Sequence, residues 1–75
     1  MRNTLPAFLI HLINETRDYV MDVRKDAIDF NMWFDNEDGL YKAQFTYGRV
    51  GAGSKIEAAC AAISNAITAI DETMA

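Results

Sequence analysis

The sequence predicts an α+β domain ordered α-β-β-α, two helices packed on one face of an antiparallel β-hairpin, and three observations carry that prediction. Between Ile28 and Tyr47, large apolar residues alternate with polar ones on both sides of an Asn36-Glu37-Asp38-Gly39 turn. Before and after that stretch the apolar residues recur instead at spacings of three and four, the helical period. A chain of 75 residues has room for a single small domain over residues 1–75, with one modest core.

The first helix should run from about Leu5 to about Lys25. Asn3 or Thr4 can cap it, and Pro6 falls in the first turn, where its missing N–H costs nothing. Leu5, Phe8, Leu9, Leu12, Ile13, Thr16, Tyr19, Val20 and Val23 form a stripe wide enough to cover the hairpin's inner face. The polar side holds Glu15, Asp18, Asp22, Asp26 and Asp29, spaced 3, 4, 4 and 3. Like charges at i,i+4 cost a few tenths of a kcal/mol each. Such a ridge is either a solvated face tempered by Arg17, Arg24 and Lys25 or an acidic docking strip, with Asp29 also claimed by the hairpin.

In the hairpin, folding back at the turn opposes Phe34 to Tyr41, Met32 to Ala43, Phe30 to Phe45 and Ile28 to Tyr47. That register puts every large apolar residue on one face, and a slip of one residue would undo it. The outer face then displays Asp29, Asn31, Trp33, Asp35, Lys42, Gln44 and Thr46. Trp33 among these polar neighbours either lies flat against Lys42 and a loop or is a contact residue. A two-stranded sheet leaves both edges open, and Arg49-Val50 is too short to promise a third strand.

The second helix starts at Ser54-Lys55-Ile56-Glu57, a capping box with Ser at the cap and Glu three residues on. Ile56, Ala59, Cys60, Ile63, Ile67, Ile70 and Met74 form an apolar seam, expected to face the core. The other side carries Ala58, Ala61, Ala62, Asn65, Ala66 and Ala69, without a charge between Ala58 and Ile70. Small neutral side chains permit close approach, so this side should meet the first helix or a second copy. Ala58, Ala62, Asn65, Ala66 and Ala69 are therefore the self-association candidates, and a homodimer is expected.

Charge and composition narrow the function. Residues 1–39 hold eight acids and four bases, while residues 40–75 hold three of each, so the whole net charge of −4 lies in the N-terminal half. That balance disfavours a nucleic-acid ligand and favours a basic protein partner. The lone Cys60 excludes an intrachain disulfide and fits a reducing, cytoplasmic setting. Leu5–Ile13 is interrupted by His11 and lacks a cleavage site, so it reads as helix rather than signal peptide, and no segment promises a membrane span.

No catalytic, metal or cofactor site is expected. His11 and Cys60 lie on different helices with no third group to orient the histidine, and Cys60 reads as seam packing. Gly48-Arg49-Val50-Gly51-Ala52-Gly53-Ser54-Lys55 sits where a phosphate loop would. However, Ser precedes Lys, and no acidic strand end follows for magnesium, so it reads as a flexible connection. Asp35-Asn36-Glu37-Asp38-Gly39 fails as a calcium loop, since Phe34 and Phe45 would occupy ligand positions.

Two resemblances bear on function. The helix–hairpin–helix order, with Gly51-Ala52-Gly53-Ser54-Lys55 and Ala58, resembles the double-stranded-RNA-binding domain over the last third of the chain. Ile56 and Ala59 replace that family's second and third lysines, so the phosphate grip it implies is lost. In size, acidity and architecture the chain also resembles small phage-encoded inhibitors of bacterial defence, the anti-CRISPR proteins among them. That resemblance implies a non-enzymatic inhibitor, in the host cytoplasm, that occupies the basic nucleic-acid-binding surface of a target protein. Glu15, Asp18, Asp22 and Asp26 would stand in for phosphates and Trp33 would anchor. The protein-binding candidates are thus Glu15, Asp18, Asp22, Asp26, Asp29, Trp33 and Lys42. The alternatives are a structural homodimer or subunit of a larger assembly, and a degenerate RNA-binding domain.

Overall fold

A computed structural model describes residues 5–74. Five elements follow in order: α1 (Ala7–Arg24), β1 (Phe30–Asp35), β2 (Leu40–Phe45), β3 (Gly51–Gly53) and α2 (Lys55–Met74). The three strands form one antiparallel sheet in the order β1-β2-β3, and the helices pack on one of its faces. The expected α+β fold is present, with a third strand added to the hairpin.

The hairpin register is the one that alternation demands, with Phe30 opposite Phe45, Met32 opposite Ala43 and Phe34 opposite Tyr41. The turn closes through its own polar groups. The Gly39 N–H donates to the Asp35 carbonyl at 2.9 Å, with Gly39 at φ +72 where an L side chain would be strained. The Asp35 and Asp38 carboxylates accept from the Glu37 and Leu40 N–H groups at 2.9 and 3.2 Å. Packing on the inner face is graded. Phe45 and Ala43 are fully buried and Phe30 and Met32 half-buried, whereas Phe34, at the turn end, is 47% exposed.

The connection expected to be flexible is instead structural. Gly51–Gly53 pairs with β2, placing Gly53 opposite Tyr41 and Gly51 opposite Ala43. Both glycines are on the inner face, and α2 rests directly on them. A Cβ at Gly51 would stand 2.7 Å from both the Ala58 carbonyl oxygen and the Ala62 nitrogen; one at Gly48 would stand 3.1 Å from the Ala66 backbone.

This close approach rotates α2 from its expected orientation, keeping Ala59 and Ile70 of the expected seam in the core and bringing the alanine side in beside them. Ala58, Ala62 and Ala66 are wholly buried together with Ala59 and Ile70, whereas Ile56 and Cys60 of the expected seam are exposed and Ile63 and Ile67 half-buried. The side chain of Met74 lies outside the described residues. Small residues win the sheet-facing side because only they let helix and strand backbones approach so closely. The start of α2 is the expected capping box: the Glu57 N–H donates to Ser54 Oγ (3.1 Å) and the Ser54 N–H to Glu57 Oε1 (2.9 Å).

α1 starts one turn-position later than expected, with Pro6 itself at the cap and its carbonyl accepting from Leu9 and Ile10. Asn3 and Thr4 lie outside the described residues. The helix stops at Lys25, which adopts the left-handed conformation (φ 62) and donates its N–H to the Met21 carbonyl at 2.8 Å. The C-terminal ends of both helices meet at Tyr47. The Arg24 guanidinium lies 4.3 Å from its ring centroid, and its hydroxyl is 3.0 Å from Thr73 Oγ1.

Candidate functional site

Only Leu9, Ile13, Thr16 and Val20 of α1 are buried, a ridge at spacings of four, three and four. Phe8, Leu12 and Tyr19, expected in the core stripe, are 69%, 42% and 42% exposed. On the helix they form their own ridge alongside the buried one, continued by Glu15. The next ridge around the helix is acidic: Glu15, Asp18 and Asp22, all exposed. α1 therefore presents to solvent an apolar strip bordered by carboxylates.

Two of those carboxylates have local partners. His11 Nε2 lies 3.0 Å from Glu15 Oε2, and Lys25 Nζ lies 3.8 Å from Asp22 Oδ1, both pairs well exposed. Asp18 has no ion pair among the described residues. Exposed pairs of this kind are worth little.

The rest of the expected binding set lies elsewhere. Because α1 ends before Lys25, Asp26 leaves the ridge, and both it and Asp29 sit exposed in the connection to β1. The Asp29 backbone is bound to Thr46, whose N–H donates to the Asp29 carbonyl at 2.8 Å. Trp33, 42% exposed, and Lys42 face each other across β1 and β2 on the side of the sheet opposite the helices. Lys42 is spent on the turn: its ammonium lies 2.8 Å from Asp38 Oδ2 and 3.3 Å from Asp35 Oδ2, with its side chain largely covered. The bond to Lys42 lowers the Asp38 pKa, and the bonds to Asp38 and Asp35 raise that of Lys42. The structure thus does not gather the seven residues into one surface.

The self-association set also turns inward. Ala58, Ala62 and Ala66 are covered by the chain's own β3 and the loop before it, and Ala69 is half-buried. Asn65 Nδ2 donates to the Arg49 carbonyl at 3.1 Å, tying that loop to α2. Ala58, Ala62 and Ala66 are therefore unavailable to a second copy while the fold is intact, whereas Asn65 and Ala69 remain partly exposed.

A small cleft of about 210 Å³ lies where Gly48 and Arg49 meet Asn65, Thr68, Ala69 and Glu72 of α2, below the roughly 300 Å³ of the smallest ligand pockets. His11 is committed to Glu15, and Cys60 is an exposed free thiol on α2. Among the described residues no three His, Cys, Asp or Glu side chains converge as a metal site, and no helix is long and apolar enough to cross a membrane.

What sequence reasoning missed is the solvent-facing role of Phe8, Leu12 and Tyr19. The signal was the width of the stripe, which exceeds the single ridge that two packed neighbours cover. Compared with protein-family models, curated proteins and solved structures, the chain matches none of them, so its functional reading rests on its own geometry.

Proposed function

We propose that this chain is a non-enzymatic protein-binding module that docks through α1 into an apolar groove rimmed by Lys and Arg on its target. The observation that carries the reading is the exposed Phe8, Leu12 and Tyr19 ridge lying beside Glu15, Asp18 and Asp22. Helix-in-groove recognition uses apolar anchors at such spacings, and a like-signed rim selects a basic partner and speeds encounter. A protein that handles nucleic acid offers such a surface, so occupation of it would act as inhibition.

The test is affinity capture of proteins from a bacterial lysate by wild type, Asp18→Lys/Asp22→Lys and Phe8→Ser/Leu12→Ser, with heparin as a polyanion competitor. The reading expects a basic protein that heparin or salt displaces and that neither double variant retains. Capture that is indifferent to both variants and to heparin overturns it.

For the RNA-binding alternative, β3 supplies the third strand that the double-stranded-RNA-binding domain carries. Against it stand the carboxylates of α1 and the apolar Ile56 and Ala59 at the start of α2. A mobility shift with duplex RNA, abolished by Lys55→Glu, would favour it over the protein-binding reading.

A further inference from the structure

β1 is one edge of the sheet and the three-residue β3 the other, with β2 the only strand neighbour of β1 among the described residues. Thr46 donates its N–H to the Asp29 carbonyl, which fixes the alternation along the ladder. Asn31, Trp33 and Asp35 direct their backbone groups at β2, while those of Phe30, Met32 and Phe34 point outward from the sheet. This edge lacks the usual guards. It is six residues of regular strand, without Pro, Lys or a bulge, and its edge-directed residues are three of its four large apolar ones, Phe30, Met32 and Phe34. Their side chains lie on the helix side of the sheet, where Phe34 is exposed and Phe30 and Met32 only half-buried.

We infer that β1 pairs antiparallel with β1 of a second copy of this chain, about a two-fold axis at Met32. The strand is self-complementary in that register. Met32 opposes Met32, and Phe30 opposes Phe34 in both directions, so every outward N–H and carbonyl of those residues finds a partner. The pairing also sets the exposed turn-end aromatic of one copy beside the half-buried aromatic of the other, a favourable cross-strand combination. On the opposite face Asp29 of each copy meets Asp35 of the other, a like-charge contact that Lys42, 3.3 Å from Asp35 Oδ2, only partly offsets. Salt therefore strengthens this dimer, whereas it weakens docking of the α1 face on a basic protein, so the two readings fail separately.

Sedimentation velocity from micromolar to millimolar protein, with amide exchange followed by NMR, tests the pairing. The expected result is a monomer–dimer equilibrium in which the Met32 and Phe34 amides slow by roughly tenfold or more as the dimer fills. Asn31 and Trp33, already bonded to β2, stay slow throughout. Sodium chloride and Asp29→Lys both tighten the dimer, and Phe34→Lys, at an exposed position, gives a folded monomer. A chain that stays monomeric to millimolar concentration overturns the inference. So does a dimer whose Met32 and Phe34 amides exchange as fast as in the monomer, or one that Asp29→Lys weakens.

Discussion

A Cβ placed on Gly51 would stand 2.6 Å from the Cβ of Ala61, closer than two such atoms approach in folded proteins. The absence of a side chain at position 51 thus sets the height of α2 over the sheet. Gly51→Ala should lift the helix and cost about 1–3 kcal/mol as an overpacking defect. For a domain this size that is a fall in Tm of about 4–8 °C per kcal/mol. Thermal unfolding followed by circular dichroism checks it, with Gly39→Ala as the comparison, where φ strain acts alone because nothing lies within 4 Å.

The same geometry decides what a charge does on each side of α2. Ala62→Glu puts a carboxylate where the residue is 1% exposed and should cost more than about 3 kcal/mol. Ile56→Glu, at a position 48% exposed in the first turn, should change stability by less than about 0.5 kcal/mol. Urea titrations of the two variants give the comparison. Equal effects would mean that α2 does not lie with its alanines on the sheet.

At the start of α2, Ser54 and Glu57 each hold the other's N–H. Ser54→Ala should destabilise the chain by about 1 kcal/mol. Adding Glu57→Ala should cost less than the sum of the singles, since the two bonds form one unit. A double-mutant cycle in denaturant measures the coupling.

Phe45 and Phe34 occupy the same face of the hairpin and each pairs with an aromatic partner across the strands, at centroid distances of 5.0 and 5.1 Å. Their burial separates them. Phe45→Ala, at 0% exposure, should cost about 3–5 kcal/mol and leave little folded protein. Phe34→Ala should cost no more than about 1.5 kcal/mol, the scale of an aromatic pair alone. The midpoints of chemical unfolding distinguish the two.

The hairpin was legible in the sequence because its turn and alternation admit one register, so Phe30, Met32 and Phe34 could be opposed to Phe45, Ala43 and Tyr41 before any coordinates. β3 was not, since Gly51-Ala52-Gly53 has no apolar side chains to form a pattern. Its signal is two glycines spaced two apart, a strand face onto which another backbone can settle. The face of α2 is hidden for a related reason. Hydrophobicity favours Ile56 and Cys60, whereas the contact with Gly51 rewards smallness at Ala58, Ala62 and Ala66. As for the candidate site, strand parity placed Trp33 on the outer face, but nothing local ties that face to the carboxylates of α1. Trp33 is a strand residue opposite Lys42, and the carboxylates belong to α1.

At the hairpin turn, Lys42 bridges Asp35 and Asp38. Hydrogen bonding to Lys42 lowers the Asp38 pKa from 3.8 in the folded chain. Its contribution to stability is therefore present above that value and is lost as pH falls through the lowered one. Bonding to Asp38 and Asp35 raises the Lys42 pKa from 10.5, so the lysine's contribution is complete below 10.5 and is lost as pH rises through the raised value. Lys42→Met keeps the apolar stem beside Trp33 and removes only the ammonium. The variant should melt below wild type by a constant margin between about pH 5 and pH 9, and the margin should close in acid once Asp38 is protonated. If Lys42→Met instead melted with wild type across that whole range, the lysine would be stabilising the turn through its stem rather than through its charge.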